Sequence, residues 1–187
     1  ATGAAIFAFE GLYLPEGIDG SSLQTQADNE TTARDLSILV YHLLKMSPEV
    51  VQYTNQSQIT TMQGTPYVET FDSYNHSLPG LKHAYEGVDG LKTGSSQSGG
   101  FNIAMTGKRD NFRLITVVLG VGDWVDQEGE YYRQPFANAA LEYGFNHFSY
   151  REILAAGEHN VEGESIILDE SYFDTVKKEQ DVSLKLD

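Results

Sequence analysis

Residues 101–119 have the sequence FNIAMTGKRDNFRLITVVL, in which two apolar runs flank a short polar segment. The runs 101–106 and 112–119 each have the length of a β-strand. The polar segment between them, Lys108–Asn111, carries residues that favour turns. The segment therefore predicts an antiparallel hairpin, and the second, nearly continuous apolar run indicates that this hairpin belongs to a covered sheet.

The segments on either side of the hairpin predict a further strand and a helix. Val88–Thr93 is predicted to form a strand with an exposed end, and Gly99-Gly100 interrupts the chain before the hairpin. After an acidic loop at Asp123–Glu130, Pro135 is predicted to open a helix that runs to about Tyr143. The residues expected on one apolar face of this helix are Phe136, Ala140 and Tyr143.

An amphipathic helix is predicted from about Thr31 to Lys45, with Asn29 or Thr31 as its cap. Its continuous apolar face is expected to contain Leu36, Leu39, Val40, Leu43 and Leu44. Ser47-Pro48-Glu49 predicts the start of a second, short helix, because proline fits the first helical position. The polar stretch Thr54–Ser77 is expected to contain short strands and loops.

The two ends of the chain have a different character from its middle. Residues 1–29 are rich in Gly, Ala and acidic residues, which predicts a loop with a short apolar patch at Ile6–Phe9. Residues 148–187 mix short β signals, at Ser165–Leu168 and Val182–Leu186, with acidic turns. The predicted fold class is therefore α+β: an antiparallel sheet with flanking helices, followed by the start of a small β-rich module.

The composition excludes several classes of protein. The 187 residues include 12 Lys plus Arg and 27 Asp plus Glu, which gives a formal net charge of -15 at pH 7. This charge disfavours nucleic acids and anionic lipid surfaces as partners. With 40% hydrophobic residues the chain can bury a core. It has no run of about 18 apolar residues to span a membrane, no visible signal peptide, and no cysteine for a disulfide or a thiolate site.

The triplet Lys92-Thr93-Gly94 is the strongest candidate for chemistry. On the edge of a strand, the lysine supplies a fixed positive charge and the threonine hydroxyl can bond a substrate carboxylate. The glycine lets a ligand backbone lie close to the strand, and a backbone N–H just beyond it can stabilise an oxyanion. Alone, the triplet is equally compatible with an ordinary glycine-rich turn.

The context of the triplet carries a family resemblance. The segment 87–94, GVDGLKTG, closely resembles the corresponding segment of the D-alanyl-D-alanine carboxypeptidases, the low-molecular-mass penicillin-binding proteins of the bacterial cell wall. The resemblance spans about residues 11–148, with the family's motifs in the same order. The other matching segments are Gly11-Leu12, Thr31–Leu36, Phe71–Leu78, Gly99-Gly100-Phe101, Lys108-Arg109, Arg113–Gly120, and Arg133 followed by Leu141 and Tyr143-Gly144-Phe145.

The resemblance implies a penicillin-binding-protein fold and a serine acyl-enzyme mechanism without a cofactor. It implies that Lys92 polarises the bound substrate and that Thr93 and Ser95 hold the terminal carboxylate, with the Ser95 N–H as an oxyanion donor. Arg133 would add positive charge near that carboxylate, although a surface ion pair with the acidic loop 123–130 is an equally open interpretation. The implied ligands are peptidoglycan stem peptides and β-lactams, outside the bacterial membrane.

The sequence departs from the family in one essential respect. No lysine has a serine three residues before it, so the nucleophile motif S-x-x-K does not occur in these residues. Ser73-Tyr74-Asn75 fits the second motif, S-x-N, but lies after the 31–36 segment instead of before it, which indicates a coincidence. One of three catalytic motifs therefore remains, and no nucleophile is assigned to this chain.

Truncation is the simplest account of the missing motifs. Residues 1–148 are then expected to be the C-terminal part of a catalytic domain, and 149–187 the beginning of a β-rich domain. Such a piece is expected to be inactive alone, to keep an exposed strand edge and an uncovered sheet face, and to self-associate through swapped or paired edges. The alternative is a non-catalytic module of the same fold that binds cell-wall peptide or a protein. None of the five histidines has metal-ligand spacing, so no metal site is predicted.

Overall fold

The computed structural model describes residues 30–179 and residue 182. The loop predicted at 1–29, the match at Gly11-Leu12 and most of the strand predicted at Val182–Leu186 lie outside the described residues. The elements of the described part, in chain order, are α1 (Ala33–Met46), a 3-10 turn (Pro48–Val50), α2 (Val51–Thr54), β1 (Gln58–Thr61), β2 (Glu69–Asp72), β3 (Val88–Ser96), β4 (Gly100–Arg109), β5 (Phe112–Val121), α3 (Gly129–His147), β6 (Phe148–Leu154), β7 (Gly157–Val161), β8 (Glu164–Leu168) and β9 (Tyr172–Lys177).

The central sheet has the order β3-β4-β5, with both strand pairs antiparallel. The predicted hairpin is confirmed, but its turn is shorter than expected. Arg109 pairs with Phe112, so the strands extend into the polar segment and only Asp110 and Asn111 form the turn. Asp110 takes a left-handed conformation, with φ 51. Aspartate tolerates this conformation better than most residues, which is why a two-residue turn suffices.

Helix α3 packs on β4 and β5 and forms the core with them. The buried cluster includes Ile103 and Met105 from β4 and Leu141 and Phe145 from α3, and β5 adds Leu114 at its border. Because strand side chains alternate, Thr106 points away from this core. A Cβ built on Gly90 would meet both Thr106 and Thr54 of α2, so α2 covers β3 on the opposite side of the sheet. Helices therefore cover both sides of the sheet.

The prediction for α3 was wrong in its start and in its face. The helix begins at Gly129, so Pro135 lies inside it. Its buried side chains include Arg133, Ala137 and Leu141, whereas Phe136 and Tyr143 are 56% and 59% exposed. The small residues Ala137 and Gly144 let the helix approach the sheet closely, and this close packing selects a different face from the one that aromatic residues suggest.

Helix α1 is confirmed, although its cap is Thr32 and not Asn29 or Thr31. The Thr32 hydroxyl accepts a hydrogen bond of 3.1 Å from the backbone N–H of Asp35. Of the predicted apolar face, Val40 is buried, whereas Leu39 and Leu43 remain 50% and 36% exposed. The described residues thus cover only part of this face.

The remaining strands form three small antiparallel pairs, as the short-strand predictions indicated. β1 pairs with β2, and in the sequence both strands lie between α2 and β3. After α3, β6 pairs with β9 and β7 pairs with β8. The predicted fold class, an antiparallel sheet with flanking helices followed by β-hairpins, is confirmed.

Leu141→Ala tests the observed face of α3. Leu141 is 1% exposed in the core cluster, so its truncation is expected to cost about 2–5 kcal/mol of unfolding free energy. Phe136→Ala, on the exposed face, is the matched control and is expected to cost less than about 1 kcal/mol. Urea unfolding followed by the fluorescence of Trp124, which stacks on Phe101, measures both. A larger loss for Phe136→Ala would contradict the observed face.

Candidate active site at the end of β3

The three residues of the K-T-G triplet lie together on β3, an edge of the central sheet as described. Lys92 and Gly94 are exposed, and Thr93 between them is half-buried. Lys92 Nζ donates a hydrogen bond to the Thr93 carbonyl oxygen. Ser95 follows on the same strand and is exposed. The predicted site residues 92–95 thus form one continuous, solvent-accessible strand end.

Lys92 and Thr93 line a cavity of about 250 Å³. Its far wall is the β1–β2 hairpin, where Ile59 and Phe71 are cross-strand partners. Ser73 and Asn75 also line the cavity, together with Tyr53, Thr54, Gln56, Asp72 and Leu91. Lys92 and Thr93 thus share this cavity with two apolar residues of the hairpin.

The loop Ser73-Tyr74-Asn75 is attached directly to β3. Asn75 is 4% exposed, and its Nδ2 donates to the Gly90 carbonyl oxygen over 3.0 Å. Its Oδ1 accepts from the Ser77 N–H at 3.2 Å, and its own N–H donates to Ser73 Oγ at 3.2 Å. The S-x-N pattern, which the sequence left without a role, is therefore a turn that fixes this loop beside the K-T-G strand.

Arg133 joins this loop to the K-T-G strand. Its side chain is buried, at 2% exposure, and donates to the Gly94 and Tyr74 carbonyl oxygens over 3.4 Å each. Gln134 Nε2 donates to the same Tyr74 oxygen at 2.8 Å. The surface ion pair considered for Arg133 is not formed within the described residues. Burial lowers the pKa of the Arg133 guanidinium, and Glu130 opposes this shift.

An ion pair that the sequence analysis missed fixes the start of β3. Arg113 forms two hydrogen bonds with the carboxylate of Asp89, at 2.8 and 2.7 Å, and a third with Thr106 Oγ1 at 2.7 Å. Both charged side chains are partly buried. The available signal was Arg113, the only charged residue of the otherwise largely apolar β5, together with Asp89 near the start of β3. This pair braces the strand that carries Lys92.

The loop that precedes β3 contains His83, whose surroundings disfavour protonation of its imidazole ring. His83 is half-buried. Its backbone N–H donates to the His76 carbonyl oxygen, and its backbone carbonyl accepts a hydrogen bond from Asn138 Nδ2 of α3. Its ring Nε2 is buried without a hydrogen-bond partner among the described residues. Burial, followed by the nearby Lys82 and His76, lowers the pKa of His83.

The fold of the described residues is similar to that of solved penicillin-binding proteins. Residues 15–123, more than half of the chain, match the family described as D-alanyl-D-alanine carboxypeptidase. The chain belongs to this family, as its sequence motifs indicated. Residues 150–187 match a second family, described as a domain of unknown function, DUF1958. None of the helices in the described part is long and apolar enough to cross a membrane.

Individual relatives agree with this assignment. D-alanyl-D-alanine carboxypeptidase DacA of Haemophilus influenzae is 27% identical over 145 residues, which are 77% of this chain and 32% of the relative. A peptidoglycan synthesis regulatory factor, PBP3 of Streptococcus pneumoniae, is similar in structure with a TM-score of 0.64 and 24% identity, over 84% of this chain and 45% of that one.

DacD of Francisella tularensis is similar with a TM-score of 0.60 and 16% identity, over 82% of this chain and 49% of that one. These structural likenesses show the fold. The chain spans half or less of the length of the relatives it matches.

Asp89→Asn is expected to weaken the brace behind β3. Loss of the carboxylate removes a charge-assisted pair that is partly shielded from water, at a cost of about 1–2 kcal/mol of unfolding free energy. Glu86→Gln is the control, because its ion pair with Arg109 is 3.9 Å long and Glu86 is exposed. It is expected to change stability by less than about 0.5 kcal/mol. Urea unfolding measures both, and equal losses would contradict a special role for Asp89.

The lowered pKa of His83 predicts a decrease in stability in mild acid. As the pH falls through the ordinary value of 6.5, His83 becomes protonated in the unfolded chain. In the folded chain it stays neutral until the pH reaches the lowered pKa. Unfolding free energy therefore falls with pH across this window and is regained as the pH rises above 6.5.

His83→Gln is expected to remove this part of the pH dependence, and His42→Gln, on the exposed side of α1, is expected to leave it intact. Urea midpoints between pH 5 and 8 give the comparison. An unchanged pH profile in His83→Gln would show that His83 does not cause the dependence.

Proposed function

We propose that this chain is part of a serine-type D-Ala-D-Ala carboxypeptidase and supplies the substrate-binding strand of its active site. The single observation that supports the proposal most strongly is the placement of Lys92-Thr93-Gly94 at an open strand edge, in a chain of this family. In the proposed reaction a serine outside these residues attacks the penultimate D-Ala carbonyl of a peptidoglycan stem peptide. Terminal D-Ala leaves as the amine, and water then hydrolyses the ester.

The role of Gly94 is supported by the space around it. A Cβ built at Gly94 would meet no atom within 4 Å, and its φ does not lie in the left-handed region. The fold itself therefore does not require glycine at this position. By contrast, a Cβ at Gly90 on the same strand would lie 2.4 Å from Thr54 Oγ1. A ligand backbone that lies directly on β3 explains the glycine at 94.

The other proposed roles are those that the family resemblance implies. Lys92 supplies positive charge to the reacting centre, while the hydroxyls of Thr93 and Ser95 hold the terminal carboxylate. The Ser95 N–H is the proposed oxyanion donor. Arg133 adds positive charge from beneath the strand, because its guanidinium bonds the Gly94 carbonyl and has no carboxylate partner within the described residues. No residue of this chain is proposed as the nucleophile, and no metal or cofactor is needed.

The wider assignments are part of the same proposal. Residues 1–148 belong to the catalytic domain and 149–187 begin a β-rich domain, in keeping with the separate family matches at 15–123 and 150–187. The parent enzyme acts outside the membrane of a bacterium and is acylated by β-lactams. The isolated chain is inactive and self-associates through its exposed apolar surfaces, which include Leu39 and Leu43 of α1.

Binding of a short peptide to the isotope-labelled chain tests the proposal by NMR. A peptide ending in D-Ala-D-Ala is expected to shift the amide signals of 92–95 at millimolar concentration, and its L-Ala-L-Ala epimer is not. Gly94→Ala is expected to fold with unchanged stability and to weaken this binding at least about tenfold, because its methyl group occupies the ligand's position. Equal shifts with both epimers, or unchanged binding by Gly94→Ala, would contradict the assignment of the site.

The same chain incubated with benzylpenicillin is expected to show no adduct by intact-mass spectrometry. Each acyl-enzyme would add one penicillin mass, so the measurement is unambiguous. A stoichiometric adduct would place the nucleophile within these 187 residues and make Ser73 the first serine to replace.

A further inference from the structure

A second cavity lies at the opposite end of α3 from Arg133. Its volume is about 600 Å³, within the range of small-molecule sites. Tyr143, Asn146 and His147 of the last helical turns form one side, and Lys177, Lys178 and Glu179 at the end of β9 form the other. Ten residues of helix separate Tyr143 from Arg133, or about 15 Å. The cavity is therefore separate from the candidate active site.

Backbone and side-chain hydrogen bonds hold the two sides of this cavity together. Phe148 of β6 pairs with Lys177 of β9. The Lys178 N–H donates to the His147 carbonyl oxygen over 2.9 Å, and Lys178 Nζ donates to the Phe145 carbonyl oxygen over 2.7 Å. An ammonium group at a helix C-terminus is also favoured by the helix dipole. The position of the β9 end relative to α3 is thus fixed before any ligand binds.

Two aromatic rings that stack on each other form the helix side of the cavity. The rings of Tyr143 and His147 stack with their centroids 4.2 Å apart and their planes at 24°. A hydrogen bond of 2.9 Å between His147 Nδ1 and the Tyr143 carbonyl oxygen fixes the histidine ring. Tyr143 is more than half exposed. Such an amphipathic surface suits a ring with one apolar face and a polar rim.

Three polar groups around this surface have no hydrogen bond or ion pair with another described residue. They are the Lys177 ammonium, the Asn146 carboxamide and the Glu179 carboxylate, and all three side chains are exposed. Lysine attracts an anion, whereas the carboxylate accepts hydrogen bonds from hydroxyl groups and the carboxamide can both donate and accept. A ligand that satisfies all three carries a negative charge and hydroxyl groups together.

The charge around the cavity also differs from that of the whole chain. The chain carries a formal charge of -15, but two of its lysines are adjacent here beside one glutamate. Carboxylates beyond about 10 Å are largely screened at ordinary salt concentrations. An anionic group held at Lys177 is therefore attracted locally, despite the acidic surface elsewhere.

We propose that this cavity binds an anionic sugar, a pyranose ring that carries a carboxylate or a phosphate. The apolar face of the sugar ring stacks on the outer face of the Tyr143–His147 pair, the anion contacts Lys177, and the hydroxyl groups bond Asn146 and Glu179. Lys177, Lys178 and Glu179 lie in the part of the chain that matches a domain of unknown function. The proposal gives this module a ligand and does not depend on the function proposed for the K-T-G strand.

NMR titration of the isotope-labelled chain with four probes tests this site. Glucuronic acid and glucose 6-phosphate are expected to shift the amide signals of Asn146, His147 and Lys177, and to bind at least about tenfold more tightly than glucose. Lys177→Gln is expected to reduce their affinity to that of glucose. Lys108→Gln, which removes an exposed lysine of β4, is the matched control and is expected to leave the affinity unchanged.

The fourth probe, adenosine monophosphate, distinguishes a sugar from a flat base that stacks on the same rings. Tighter binding of this nucleotide than of either charged sugar would overturn the proposal, as would equal binding of glucose and glucuronic acid. Absence of shifts at 143–148 and 177–179 with every probe would overturn it as well. Urea unfolding of Lys177→Gln excludes lost folding as the cause of lost binding.

Discussion

The buried guanidinium of Arg133 is the interaction on which the candidate active site depends. A charged group removed from water costs free energy unless hydrogen bonds replace its hydration. Here two long bonds of 3.4 Å go to the backbone carbonyls of Gly94 and Tyr74, while the buried Nε has no partner among the described residues. The guanidinium also lies 5.9 Å from the Phe101 ring centroid. One side chain of α3 therefore couples the K-T-G strand, the 73–75 loop and the helix. If any of these three elements moved away, the guanidinium would become exposed to water or would lose a hydrogen bond.

The space around each glycine shows whether packing within the fold requires a glycine at that position. A Cβ at Gly107 would lie 3.1 Å from Leu141, and one at Gly144 would lie 2.5 Å from Leu114, so both glycines bring α3 onto the sheet. Gly90 makes the same kind of close approach to α2. Gly94 has no such neighbour. Packing within the described residues therefore accounts for Gly90, Gly107 and Gly144 but not for Gly94, whose proposed role is to leave room for a ligand.

The sequence predicted the strands better than it predicted the helix faces. The strands of the hairpin follow from their apolar runs and the polar turn between them, which are local features. The buried face of α3 contains Leu141 and Phe145 but also an arginine, a glutamine and small residues, because close approach to the sheet and hydrogen bonds to distant carbonyls help to decide it. Neither factor can be deduced from the spacing of apolar residues. The aromatic side chains that misled the prediction lie on the outer face.

The site residues also divide into those that local sequence features predict and those that they do not. Residues 92–95 were found because they are contiguous in one strand. The Asp89–Arg113 pair, separated by 24 positions, and the loop that Asn75 holds against Gly90 depend on strand register, which no local motif encodes. Hydrogen bonds between residues that are distant in the sequence therefore fix the position of the K-T-G triplet, whereas the sequence alone only identifies it.

Helix α3 finally relates the two parts of the chain that match different families. Near its start, Arg133 and Gln134 hold the loop beside β3, and at its end the Phe145 and His147 carbonyls hold Lys178 of the C-terminal module. At its start the helix contributes side-chain donors to carbonyls of the loop and of β3, whereas at its end the helix's own carbonyls accept hydrogen bonds from Lys178. The cavity at the end of α3 and the cavity beside β3 share no lining residue. Helix α3 is thus the element that contacts both the K-T-G strand and the C-terminal hairpins, through Arg133 at one end and the Phe145 and His147 carbonyls at the other.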